Sequence, residues 1–464
     1  MSKKTLRILH TNDLHSQFEN WPSVTALLKE KKEEAVNAGE EVLLFDIGDH
    51  ADRVHPMTEG LHGKGNVSLL NDLNYDAVTI GNNEGMTFAK QELDELYVTA
   101  NFPVILSNLY DENGKRPKWC KPYDIITTPS GLKVGIAGVT VPFYLFYETL
   151  GWKIIDPFES IAETVTELKG KTDLLICLSH LGLFDDEKMA EQFPEFDLIL
   201  GAHTHHVLES GQNQKGTWIN QSGRSGKFIG DVRLSYERSE NGIECISTSI
   251  SSVPVDHEVK DLQTVERLEQ LTNLAKEKLS REVTTLSKPL EISWFEESEF
   301  AKLLAETLKE WCDADVGMVN AGVLLDRLSE GPVTYEDLHK ICPHPINPAT
   351  VMISGEKLLE LIRQANKKEM VEYKLRGFGF RGKILGTLVF DDIIIDTNAS
   401  YIQERDVYVQ GKPLDRHKEY KLATVDMFTF GHLYPIISSI EEKRYFMPEL
   451  LRDILAWKLK RMDH

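Results

Sequence analysis

Asp13-Leu14-His15 sets a carboxylate and an imidazole two positions apart. Alternate residues of an extended segment point the same way, so both side chains can face one ion. Phe45-Asp46-Ile47-Gly48-Asp49-His50 ends an apolar run at a glycine that permits a tight turn, followed by a carboxylate whose two oxygens can serve two cations. Ile80-Gly81-Asn82-Asn83-Glu84 offers Asn82 as a neutral oxygen donor, or an ordinary Gly-Asn turn. Leu178-Ser179-His180 closes another apolar run, and Leu200-Gly201-Ala202-His203-Thr204-His205-His206 puts three histidines directly behind a further one. Imidazoles suit several divalent ions, and His203 and His205 can serve neighbouring ones. Each group alone is also turn or hydrogen-bond chemistry. In series they supply mixed oxygen and nitrogen donors for two cations, the equipment of metal-assisted hydrolysis.

The elements that must position these groups are short apolar runs: Leu6 to His10, Val42 to Asp46, Ala77 to Ile80, Val104 to Leu106, Val134 to Val139, Leu174 to Leu178 and Leu198 to Leu200. Nearly continuous apolar strands alternating with helical or polar stretches predict α/β layers with strands covered on both faces. Scattered ligands then converge in the crevice beyond the carboxyl ends of the strands. Leu262, Val265, Leu268, Leu271 and Leu274 predict an amphipathic helix over Lys260 to Val283. Beyond it an α+β mixture is expected, with helices at Glu299 to Cys312 and Gly355 to Ala365. Its strands are expected at Val316 to Val319, Ile384 to Phe390, Ile393 to Asp396, Val407 to Val409 and Tyr420 to Val425. The organisation expected is a catalytic domain over 1–255, a connecting helix over 256–289 and a substrate-binding domain over 290–464.

A length of 464 residues favours two domains, and 41% hydrophobic with 27% charged residues is a globular composition. The net charge of −21 disfavours a nucleic-acid polymer or an anionic membrane as partner. A small phosphate ester remains compatible, because cations reverse the local field. Met1 to Lys4 lead directly into the first strand-like run, without a signal peptide's apolar segment, and no run is long enough to span a membrane. Cys120, Cys177, Cys245, Cys312 and Cys342 are odd in number and scattered, so a reducing cytoplasm is the expected location.

Taken together, the motifs resemble the D-x-H, G-D, G-N-H-E, later His and G-H-x-H series of the calcineurin-like metallophosphoesterases. The opening Leu9-His10-Thr11-Asn12-Asp13-Leu14-His15 is similar to the 5'-nucleotidase branch. So are Met318-Val319-Asn320-Ala321-Gly322, Gly331-Pro332-Val333-Thr334, Val351 to Gly355, Gly411 to Leu414 and Tyr420 to Thr424. The resemblance implies a layered β-sandwich flanked by helices, followed by an α+β domain of 5'-nucleotidase type. It implies two divalent ions, drawn from Mn, Zn, Fe, Co and Mg. One would be held by Asp13, His15, Asp49 and His205 and the other by Asp49, Asn82, His180 and His203, with Asp49 bridging. The implied activity is hydrolysis of phosphate esters or anhydrides, of nucleotides or related small molecules.

Three departures bear on mechanism. Asn83 stands where the family has a histidine thought to assist the leaving group, and Met86 where its partner aspartate is expected. An amide donates a hydrogen bond but cannot act as a general acid near neutral pH. His50, His55 and His206 are candidate substitutes, and a substrate with a good leaving group is the alternative. The family's N-G-G-I-R becomes Asn320-Ala321-Gly322-Val323-Leu324, with Arg327 nearby, and Val425 to His432 lacks the family's G-G-D-G-Y. Gly377-Phe378-Gly379-Phe380-Arg381 lies where an aromatic residue would stack on a base, with Phe430 for the opposite face. Competing readings are a metal-dependent hydrolase of another class and a noncatalytic nucleotide- or metal-binding protein.

Overall fold

A computed structural model of the chain describes residues 3–239, 242–377, 379–396 and 401–462. It divides into two compact units, Met1–Ala275 and Lys276–His464, and the boundary falls inside the helix Leu262–Leu279.

Among the described residues the first unit contains two large sheets. The first runs Gly242–Pro254, Phe228–Ser239, Lys4–Thr11, Glu41–Asp46, Ala77–Val78, Val104–Ile105, Cys120–Lys121. The second runs Gln212–Gln214, Thr217–Gln221, Leu198–Gly201, Leu174–His180, Lys133–Thr140, Tyr123–Thr127. Strand Lys4–Thr11 pairs parallel with Glu41–Asp46, and Leu174–His180 lies parallel between Lys133–Thr140 and Leu198–Gly201. Leu6, Ile8, Leu43 and Phe45 of the first sheet and Ile136, Ile176, Leu178 and Leu198 of the second form one buried cluster, the filling of a sandwich. Burying each such side chain stabilises by roughly 1.5–3 kcal/mol.

Opposite that filling, the second sheet is covered by helices, as the sequence predicts. Pro157–Leu168 starts on Asp156, whose side chain accepts from Phe158 N at 2.8 Å and Glu159 N at 3.1 Å. Proline at its first turn needs no partner for a missing N–H. Ile161, Val165 and Leu168 recur at helical spacing and pack with Cys177, Ile199 and Met189 of the helix Leu183–Gln192.

The long antiparallel hairpin Phe228–Ser239 with Gly242–Pro254 is absent from the strands predicted above, although Val232, Leu234 and Tyr236 alternate with Arg233, Ser235 and Glu237 and are buried. It builds the edge of the first sheet and delivers Asp231 to Arg7. Asp231 accepts from the guanidinium at 2.9 and 2.6 Å, both side chains buried.

The second unit contains the five-stranded sheet Leu388–Asp391, Val316–Asn320, Glu419–Val425, Pro348–Ser354, Lys443–Tyr445. Helix Glu299–Cys312 begins at Ser298, whose hydroxyl accepts from Ala301 N, and buries Phe300, Leu304 and Leu308. The predicted strand Ile384 to Phe390 is corrected to Leu388–Asp391. Gly386, at φ +76°, breaks the extended run, and Leu385 N and Gly386 N donate instead to Tyr373 O and Val371 O. The predicted helix Lys260 to Val283 ends at Leu279, and Val283 joins the short strand Glu282–Leu286. Among the described residues, no helix is long and apolar enough to cross a membrane.

Candidate metal centre

The loops beyond Lys4–Thr11 and Glu41–Asp46 are laced together by backbone hydrogen bonds. Asp13 N donates to Gly48 O at 3.0 Å, His15 N to Asp49 O at 2.8 Å and Ser16 N to His50 O at 3.1 Å. A third turn closes on them: Asn83 N donates to Asp49 Oδ1 at 2.8 Å. The fit is tight enough that a Cβ on Gly81 would lie 2.0 Å from Asp49 Oδ1, and one on Gly48 2.3 Å from Gly81 N. Glycine is required at both by close approach, and at Gly48 also by its φ of +87°.

These loops gather the ligand-type side chains. His15 Nε2 lies 3.2 Å from His205 Nε2, 3.7 Å from Asp13 Oδ1 and 3.8 Å from Asp49 Oδ2. His205 Nε2 is 3.5 Å from Asp13 Oδ1, and His180 Nε2 is 3.5 Å from Asp49 Oδ2 and 4.0 Å from Asp13 Oδ1. Two sets, Asp13/His15/His205 and Asp13/Asp49/His180, each have ligand atoms within 4.8 Å of one another. The His203 ring sits 5.4 Å from that of His180, and its backbone N–H donates to the Asp13 carboxylate at 3.1 Å. Asn82 lies in the turn that closes on Asp49.

The donor atoms suit cations better than a closed hydrogen-bond network. His180 Nδ1 donates to Ile47 O at 2.7 Å, which leaves the lone pair on Nε2. That Nε2 and Asn82 Oδ1 are both buried without a hydrogen-bond partner among the described residues. Such orphaned acceptors are costly unless something positive meets them.

The charge pattern agrees. Burial alone would lower His180, but the Asp49 and Asp13 carboxylates push it up to about 10. His15 is likewise pushed down by burial and, more strongly, up by Asp52, Asp49 and Asp13, to about 9. Burial works against the charge on Asp13 and Asp49, yet the surrounding imidazoles hold both below the ordinary carboxylate range. His203 is lowered to about 4, by burial and then by His180.

Three supporting groups escape sequence reading. Glu84 accepts from Asp49 N at 3.0 Å, Ala51 N at 2.7 Å and Gly81 N at 2.9 Å, pinning two of the ligand turns together. Burial and the Asp49 charge raise it to about 7. Asp52 lies 3.6 Å from His15 Nδ1. Asp186 accepts from Ser179, next to His180, and from Gln221 Nε2 at 2.7 Å. Only the Gly81 to Glu84 spacing, a helix-start pattern, hints at the first; Asp52 meets His15, and Asp186 meets Gln221, across more than thirty residues of sequence.

The other candidates are placed as follows. Asn83 turns its amide onto His15, Nδ2 donating to Nδ1 at 2.8 Å. His50 is buried against Trp21, with burial lowering it to about 3, and His55 Nδ1 accepts from Met57 N. His206 is exposed, with Nδ1 at 2.9 Å from Thr204 Oγ1.

In the second unit Asn320 is buried, its Nδ2 donating to Leu385 O at 2.8 Å while Oδ1 is unpartnered among the described residues. Phe380 is 4% exposed and stacked on His344 at 5.4 Å, a core position rather than an open stacking face. Phe430 is partly buried against the same core, and Phe378 lies outside the described residues. Arg327 is on the surface, paired with Glu291 at 2.8 Å.

Comparison with known proteins places these features. Residues 6–207 match the family model for calcineurin-like phosphoesterase, and residues 282–434 that for the 5'-nucleotidase C-terminal domain. The chain is 45% identical to an uncharacterized metallophosphoesterase, YunD, of Bacillus subtilis (strain 168), over 98% of this chain and 99% of that protein. It is 25% identical to a 5'-nucleotidase of Vibrio cholerae, covering 77% and 75% of the two chains. The structure of the NAD nucleotidase NadN of Haemophilus influenzae shares the fold, with a TM-score of 0.68 at 16% identity over 99% of this chain and 96% of that one. Paired carboxylates and imidazoles at the strand ends, followed by a second matching domain, therefore make this chain a member of the calcineurin-like metallophosphoesterases that carry a 5'-nucleotidase C-terminal domain.

Proposed function

We propose that the chain hydrolyses phosphate ester or phosphoanhydride bonds of nucleotides at a dinuclear centre. The observation that carries this reading is the meeting of Asp13, His15, Asp49, His180 and His205 with ligand atoms a few ångströms apart. Asp13, His15, Asp49 and His205 would hold one cation, and Asp49, Asn82, His180 and His203 the other. When bound, a pair of divalent cations supplies Lewis acidity toward the phosphoryl oxygens and lowers the pKa of a water, so no protein nucleophile is required.

The protein's own residues set geometry. The Glu84 carboxylate fixes the Asp49 turn, and the Ile47 carbonyl fixes the His180 ring. Because the Asn83 amide is committed to His15, nothing at that position protonates a leaving group. This supports substrates whose leaving group needs little protonation, such as nucleoside diphosphates or pyrophosphate-linked nucleotides. A cytoplasmic location belongs to the same proposal, supported by the four described cysteines being buried and free.

The test is metal analysis followed by phosphate-release assays on nucleotide mono-, di- and triphosphates, cyclic nucleotides and amides. Phosphate release that Asp49→Ala abolishes is the expected result. Two bound ions without turnover on any substrate would favour a binding protein, and alkyl monophosphates as best substrates would refute the leaving-group argument.

A further inference from the structure

His15 has two edges. Its Nε2 faces Asp13, Asp49 and His205, while its Nδ1 faces Asn83 Nδ2 at 2.8 Å and Asp52 Oδ2 at 3.6 Å. A neutral imidazole carries one proton, and only the bare nitrogen can bind a cation. With Asn83 Nδ2 donating to Nδ1, the proton sits on Nε2, the wrong edge for a ligand. For Nε2 to offer its lone pair, that proton must be exchanged for one on Nδ1, and an acceptor must face it there.

Asp52 is built to be that acceptor. Its side chain is 2% exposed, and its Oδ1 is engaged by Val54 N at 3.0 Å, which turns Oδ2 toward His15. Its own N–H donates to Ser16 Oγ at 2.8 Å, tying it to the residue that follows His15. For Nδ1 to carry that proton, the Asn83 amide has to turn its Nδ2 away from it.

We propose that Asp52 is a positioning residue for His15, holding its proton on Nδ1 so that Nε2 is kept for the cation. This rests on the dinuclear reading above. A carboxylate or carbonyl behind a ligating imidazole both fixes its tautomer and raises its basicity, and removing it typically weakens metal binding 10–100-fold.

Asp52→Asn is the informative variant. Val54 N–H demands the oxygen of the new amide, so its NH2 is forced toward His15 Nδ1, replacing an acceptor by a donor with little change of shape. Full-length protein is titrated with Mn²⁺ by calorimetry. The wild type should bind two ions, and Asp52→Asn should weaken one of the two sites by about 10–100-fold while leaving the other unchanged. Long-range ¹H–¹⁵N spectra of the Zn²⁺-loaded wild type should show the His15 proton on Nδ1, and in Asp52→Asn it should remain on Nε2, a change that a purely structural role would not produce. Unchanged affinities in Asp52→Asn, or equal loss at both sites with a lowered melting temperature, would overturn the inference. Fewer than two ions in the wild type would overturn the dinuclear reading and this one with it.

Discussion

Replacing Glu84 by alanine tests whether the centre is held by its supporting shell. The Glu84 carboxylate is buried and accepts three backbone N–H groups, from Asp49 at 3.0 Å, Ala51 at 2.7 Å and Gly81 at 2.9 Å. Truncation leaves those three donors without a partner. Each buried donor so orphaned costs about 1–3 kcal/mol, but water entering the vacated space recovers part of that, so about 3–5 kcal/mol is expected. For a unit of this size about 2–4 °C is lost per kcal/mol, which puts the melting transition of the first unit roughly 6–20 °C lower. The same change frees the turns that carry Asp49 and Asn82, so Mn²⁺ affinity should fall at both sites. Differential scanning calorimetry with and without Mn²⁺, paired with the metal titration, measures both effects. A transition within about 1 °C of the wild type, with two-ion binding intact, would refute the claim that Glu84 organises the site.

Arg7→Met leaves the buried Asp231 carboxylate unpaired and should cost about 3–5 kcal/mol in urea unfolding, most of it recovered when Asp231→Leu is added. Asp426 is raised by burial from its ordinary 3.8 to about 7, so its contribution to stability is complete below about pH 4 and is lost as pH rises through 7. Asp426→Asn should abolish that fall, with a gain at pH 8 of about 4 kcal/mol at most, read as the melting temperature of the second unit against pH. Chelation should end phosphate release and destabilise the first unit by about 2.7 kcal/mol for each ion previously present at a hundred times its Kd, as differential scanning fluorimetry would show.

Much of the candidate site could be located before the fold was known, because Asp13, Asp49, His180 and His203 each follow an apolar run, and such runs become strands that end at a common sheet edge. Where a residue's role is set by its own strand, local pattern suffices. Asp52, Glu84 and Asp186 work otherwise. They act on groups brought near by folding, and a carboxylate three residues past Asp49 looks like any loop aspartate until His15 is seen beside it. The same holds in the second unit, where Phe380 reads as an aromatic available for stacking, but His344 fills that role from 36 residues earlier in the chain, 380 less 344. Strand lengths were blurred for a related reason. Gly386 bends the chain where hydrophobicity alone would extend it.

Asp13, His15, Asp49, His203 and His205 all hold positive φ, between 48° and 73°, a region that residues other than glycine seldom enter. Asn and Asp visit it readily and His more than most, whereas β-branched residues are nearly barred. On the dinuclear reading, choice of residue at these five positions is thus doubly restricted, since whatever stands there would have to carry a lone pair and also tolerate a left-handed bend. Valine or isoleucine would fail on backbone grounds before any question of coordination arose, so an unfolded variant of that kind would say nothing about metal. Asparagine, which accepts the bend while shedding the charge, is the replacement that separates the two demands.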